Sequence, residues 1–168
     1  MKILKGLAVL IVFFISIGLI IGILTEEKEL DLSDMTDKEK LIAITEHMIG
    51  EENNKGEKRV LNAAVEDSVI GIGFNADMNY DEESTLWGIN NDVVAVLAGI
   101  DAYGGFEDKE LIIITANVII EDEYGNESSV TARMFGIEMK ELEKINFENF
   151  DADNLEQIGT VTTNKMFY

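Results

Sequence analysis

The segment that most restricts what this chain can fold into is 6–24, GLAVLIVFFISIGLIIGIL, nineteen residues without a charge. As an α-helix it would reach about 28 Å, close to the hydrocarbon thickness of a bilayer, so a membrane-spanning helix is expected there. Lys2 and Lys5 precede it, whereas Glu26, Glu27 and Glu29 come after it with only Lys28 among them. That asymmetry places the N-terminus in the cytoplasm and the remainder outside. The expected organisation is a cytoplasmic N-terminus at 1–5, a single-pass transmembrane anchor at 6–24, an acidic spacer at 25–35 and an extracytoplasmic domain at 36–168. A cleaved signal peptide fits less well, because its apolar core is normally about 7–15 residues long and ends in small residues. Here the run ends Ile23-Leu24-Thr25-Glu26.

The remainder is strongly acidic. The formal net charge is −20, and Lys2 and Lys5 are the only charged residues before Thr25, so residues 25–168 carry −22. Such a field repels nucleic acid and anionic lipid headgroups. Arg59 and Arg133 are the only arginines, too few for a phosphate-binding cluster, and nucleic acid is not expected as a partner. Cysteine is absent, which removes disulfides, thiolate metal sites and a cysteine nucleophile. About 144 residues beyond the apolar segment suffice for one domain with its own core.

Thr36 and Glu39 form a capping-box pattern ahead of Leu41, Ile42, Ile44, Met48 and Ile49 at helical spacing, predicting a helix over about 37–49 that stops at Gly50. Residues 60–65 and 69–76 read as a hairpin turning at Glu66-Asp67-Ser68. In its second strand Ile70, Ile72, Phe74 and Ala76 share one face, and Gly71 and Gly73 leave the other bare for close approach by a helix or backbone. After an acidic loop, Asn91 can cap a largely buried helix that ends at Gly104-Gly105. Residues 111–121 and 129–138 form a second hairpin across Asp122-Glu123-Tyr124-Gly125-Asn126-Glu127. Ile112, Ile114, Ala116, Val118 and Ile120 share one face of its first strand, and Val130, Ala132 and Met134 share one of its second. The rest reads as one or two short closing helices. The expected class is α+β: an N-terminal transmembrane helix, then a mostly antiparallel sheet of about four strands packed against helices.

The helix containing DVVAVLAGI, the turn DEYGN and the closing KINFENFDADNLEQIG together resemble small uncharacterised domains found behind a membrane anchor or lipoprotein signal in Gram-positive bacteria. The resemblance covers about residues 60–160. It implies an extracytoplasmic setting and no known activity, cofactor or partner, so no functional residue is carried over.

Candidate sites are sparse. His47 is the only histidine, which excludes multi-histidine metal centres. Asp77, Asn79 and Asp81 stand at alternate positions beside Glu82 and Glu83, oxygen ligands of the kind calcium prefers. An EF-hand loop from Asp77 would need glycine where Glu82 stands and glutamate where Gly88 stands, so a solvated acidic loop is the simpler reading. Asp101 interrupts an apolar helix, and a buried carboxylate there would need a partner such as Arg133. Trp87 and Tyr80 could offer a stacking platform for a sugar, but an aromatic flanking a buried helix more often anchors the core. Asp122, Tyr124, Gly125 and Asn126 serve the turn. No catalytic residue and no cofactor is identified. The function expected is a non-catalytic, extracytoplasmic interaction or ligand-binding domain that meets the membrane through 6–24 and another envelope protein through its surface. Two alternatives are a carboxylate-dependent enzyme acting on cell-envelope polymers and a calcium-responsive structural module.

Overall fold

Thr36 and Glu39 do what their spacing predicts. In the computed structural model, which describes residues 30–167, the Glu39 carboxylate accepts the Thr36 backbone N–H at 2.8 Å and the Thr36 hydroxyl accepts the Glu39 N–H at 3.4 Å. Helix α1 (Asp37–Ile49) starts there, buries Leu41, Ile44 and Thr45, and stops at Gly50. Strands β1 (Val60–Glu66) and β2 (Val69–Asn75) form the expected hairpin.

The second helix starts ten residues earlier than expected from Asn91. Helix α2 (Glu82–Tyr103) is capped by Asp81, whose carboxylate accepts the Ser84 N–H at 2.7 Å. Asn91 is an interior residue whose Nδ2 donates to the Trp87 carbonyl at 2.7 Å. An aspartate with serine three residues on supplies the same reciprocal cap as a serine–glutamate pair, so the polar run 82–91 is helical rather than a loop. The buried stripe along α2 includes Thr85, Ile89, Val93, Val96, Leu97 and Ile100.

Strands β3 (Leu111–Glu121) and β4 (Glu127–Glu138) form the second hairpin, its turn closed by Gly125 at φ +79° and by Asp122, which accepts the Tyr124 and Asn126 N–H groups. Short helices α3 (Met139–Leu142) and α4 (Leu155–Ile158) precede β5 (Thr160–Thr163).

These elements correct the expected architecture. The sheet has five strands in the order β1-β2-β3-β4-β5 and is mixed, because β2 and β3 are parallel from Val69↔Leu111 to Asn75↔Asn117. Helix α2 carries the chain back along the sheet between them, so β3 starts beside the start of β2. β5 went unforeseen because four residues, TVTT, carry no periodicity against the helical pattern just before them. Among the described residues no helix is long and apolar enough to cross a membrane. The longest, α2, has 22 residues but carries Glu82, Glu83, Asp92 and Asp101. The segment 6–24, on which the anchor was expected, lies outside the described residues, and the membrane-anchor reading finds no support in the structure.

One sheet face is sealed: Ile70, Ile72, Phe74, Ile112, Ile114, Ala116, Val118, Phe135 and Ile137 are all buried. On the other face Leu111 and Ile113 are half-buried and Met134 is exposed. Among the described residues no helix approaches the bare strip expected at Gly71 and Gly73. A Cβ on Gly73 would lie 2.8 Å from the Asn62 side chain of the neighbouring strand.

Helices α1 and α2 meet at Gly99, where a Cβ would lie 2.6 Å from Met48 Cγ and 2.8 Å from Ile44 Cγ2. Gly99→Ala is therefore predicted to destabilise the domain by about 1–3 kcal/mol through overpacking, outweighing alanine's better helix propensity. Urea denaturation checks it, and an unchanged midpoint would mean that the helices are not in this close contact.

Candidate functional site

A β-bulge decides what lies beneath the N-terminal half of α2. Ala116 pairs with Arg133 and Asn117 with Thr131, which leaves Ala132 as the extra residue on β4. A bulge reverses the alternation of the strand beyond it. Met134, expected on the same face as Val130 and Ala132, is 42% exposed instead, while Arg133 turns toward α2 with 11% of its side chain exposed.

The Arg133 guanidinium is held on three sides. Its Nε donates to Thr163 Oγ1 of β5 at 2.9 Å, Nη1 to Asn90 Oδ1 of α2 at 2.5 Å, and Nη2 to the Glu156 carboxylate of α4 at 2.9 Å. Its Cζ stands 5.6 Å from the Phe135 ring centroid. A guanidinium has five N–H groups, so two remain to donate elsewhere. Asn90 is buried, yet among the described residues its Nδ2 has no acceptor.

Above these groups opens a cleft of about 670 Å³ between α2 and the segment 152–156. Trp87, the only tryptophan, lines it and is 62% exposed. This overturns the expectation of a core anchor, as does Tyr80, which is fully exposed. The cause is the earlier start of α2: Trp87 sits two residues from both Thr85 and Ile89, about 200° around the helix from the buried stripe. Asp81, Glu83, Asp153 and Glu156 supply the carboxylates around the cleft. Hydrogen bonds from the Ser84 hydroxyl and amide hold the Asp81 carboxyl below its usual range.

The other residues singled out by sequence fall elsewhere. Asp101 is exposed on the last turn of α2 and does not meet Arg133. Eleven residues separate it from Asn90, about 16 Å along the helix. Asp77 accepts the Asn54 N–H at 2.7 Å and pairs with Arg59, Asn79 Nδ2 donates to the Ser84 carbonyl at 3.0 Å, and Asp81 caps α2. All three are thus engaged in holding the loop, and among the described residues no group of three or more acidic or histidine side chains is placed to hold a metal ion. His47 is exposed on α1 with its ring 5.7 Å from that of Tyr103.

A second cluster was not foreseen. Arg59 is buried, and its Nη1 lies 3.0 Å from the Asn75 carbonyl, 3.1 Å from Asp77 Oδ1 and 3.8 Å from Asp92 Oδ2. Its Nε and the Asn75 Oδ1 are both buried without a hydrogen-bond partner. Burial pushes the Asp92 carboxyl up to about 6; the Arg59 charge opposes the rise and the Asp77 charge adds to it. Helical spacing held the signal, since Asp92 lies three residues after buried Ile89 and four before buried Val96. No protein family, curated protein or solved structure matches the chain.

Because the folded-state pKa of Asp92 is raised, its neutral form is the stabilising one. That contribution is complete below about pH 4 and is lost as pH rises through about 6. Asp92→Asn is therefore predicted to raise stability at pH 7.5 by an amount of order 1 kcal/mol and to change it little at pH 4. Thermal denaturation across that range tests the sign. A less stable variant at pH 7.5 would mean that attraction to Arg59 outweighs the burial of the charge.

Proposed function

We propose that this domain is a non-catalytic binding module that takes its ligand in the cleft between α2 and the segment 152–156. The observation that carries the reading is the sole tryptophan, 62% exposed on the wall of a cleft whose floor already holds fixed donors. An exposed indole is a large apolar surface with little conformational freedom to lose on binding. Arg133 and Asn90 are locked by their contacts with β5, α2 and α4, so their open N–H groups need no reordering when an acceptor arrives. Trp87, Leu86, Phe135, Ala152 and Leu155 supply apolar surface among the polar groups, and about 670 Å³ lies within the usual range of ligand pockets.

Trp87 also supplies the readout, since emission from a single tryptophan reports on this cleft alone. In a ligand-observed NMR screen of amines, carboxylates, saccharides and short peptides, compounds that bind should shift Trp87 emission. Trp87→Ala should weaken those compounds at least about tenfold while leaving the melting temperature nearly unchanged, as expected of a surface substitution at a binding contact. Compounds that bind the Trp87→Ala variant as tightly as the parent would move the binding site elsewhere.

A further inference from the structure

The cleft holds an imbalance of charge that its own residues do not answer. Arg133 is neutralised by Glu156 at 2.9 Å. Asp81, Glu83 and Asp153 remain exposed at the cleft, and among the described residues none of them has a cationic partner. Asn90 adds a donor. It lines the cleft, its oxygen is taken by Arg133, and among the described residues its Nδ2 has no protein acceptor. The two spare N–H groups of Arg133, which also lines the cleft, are further donors.

Resting on the cleft as the binding site, we infer that its ligand is a lysine- or arginine-bearing segment of a partner protein. The cationic side chain is held by Glu83 and Asp153 and by the face of Trp87, where a desolvated cation gains from the ring quadrupole as well as from the carboxylates. Backbone carbonyls of the segment accept from Asn90 Nδ2 and the open N–H groups of Arg133. Each competing class lacks one half of this match. A free polyamine has the charge but no carbonyl acceptors. A neutral saccharide has acceptors but leaves the carboxylates unanswered. An anionic ligand could reach the open N–H groups of Arg133 only against the repulsion of Asp81, Glu83, Asp153 and Glu156. The net charge of −20 also speeds the approach of a cation from solution.

The test uses the full chain and Trp87 emission, with four probes: blocked pentalysine, spermine, pentaglutamate and cellopentaose. Pentalysine should give a saturable shift that weakens with added salt, and it should bind more tightly than spermine. In E83Q/D153N its affinity should fall by about fivefold, the worth of two partly exposed ion pairs. In E123Q/E148Q, which removes the same charge from exposed positions that do not line the cleft, it should fall less than about twofold. Equal losses in both variants would overturn the inference, since general attraction to an acidic protein would then explain the binding. Spermine binding as tightly as pentalysine would overturn the peptide assignment. A shift with cellopentaose or pentaglutamate but not with pentalysine would overturn the cationic ligand and leave the cleft as the binding site. Silence from all four would overturn the inference, and the NMR screen would then decide whether the cleft binds at all.

Discussion

Arg133 joins parts of this domain that lie far apart in sequence. One guanidinium bonds to β5 through Thr163, to α2 through Asn90 and to α4 through Glu156, and its own strand supplies the fourth connection. The cleft exists because these bonds hold α2 and the C-terminal segment at fixed positions around it. Removing the guanidinium would leave Asn90 Oδ1 buried without a donor, which costs more than the hydrogen bond itself contributed. The extra residue at Ala132 is the precondition, because regular alternation would send Arg133 to the opposite face and bring Met134 under the helix.

The chain has two arginines, and each solves a different problem in an acidic domain. Arg59 is buried against two carboxylates and ties β1, the loop after β2 and α2 together. Its unpartnered Nε and the raised pKa of Asp92 show that burying this cluster has a cost. Arg133 is nearly as enclosed but keeps two N–H groups open to a cleft. Asn90 and Asp92 are two positions apart on α2, so the two guanidinia approach different sides of that helix.

Local signals carried well from sequence to fold. The capping box of α1, the alternation of β3 and the Asp122–Asn126 turn all rest on interactions within a few residues, and each formed as its spacing implied. The features that were not legible depended on partners distant in sequence. The parallel pairing of β2 with β3 comes from α2 packing on the sheet, and β5 acquires its identity only by lying beside β4. The cleft was the least visible part. Trp87 resembles a core residue when α2 is started at Asn91, and Asp101 suggests itself as the Arg133 partner because nothing in the strand marks a bulge. Asp92 is found by asking which acidic residue of α2 shares its buried stripe.

If the bulge delivers Arg133 into a fixed network, its Nε–H must be shielded from water. Hydrogen exchange of the arginine Nε–H groups by NMR measures that shielding; it gives only two signals in this chain, assigned with Arg133→Lys. The Arg133 Nε–H, bonded to Thr163, is predicted to exchange far more slowly than that of a solvated arginine and to speed up in Thr163→Val. An Arg133 signal exchanging at the solvated rate in the parent protein would contradict this account, because the guanidinium would then lie in water and the cleft would have no fixed floor.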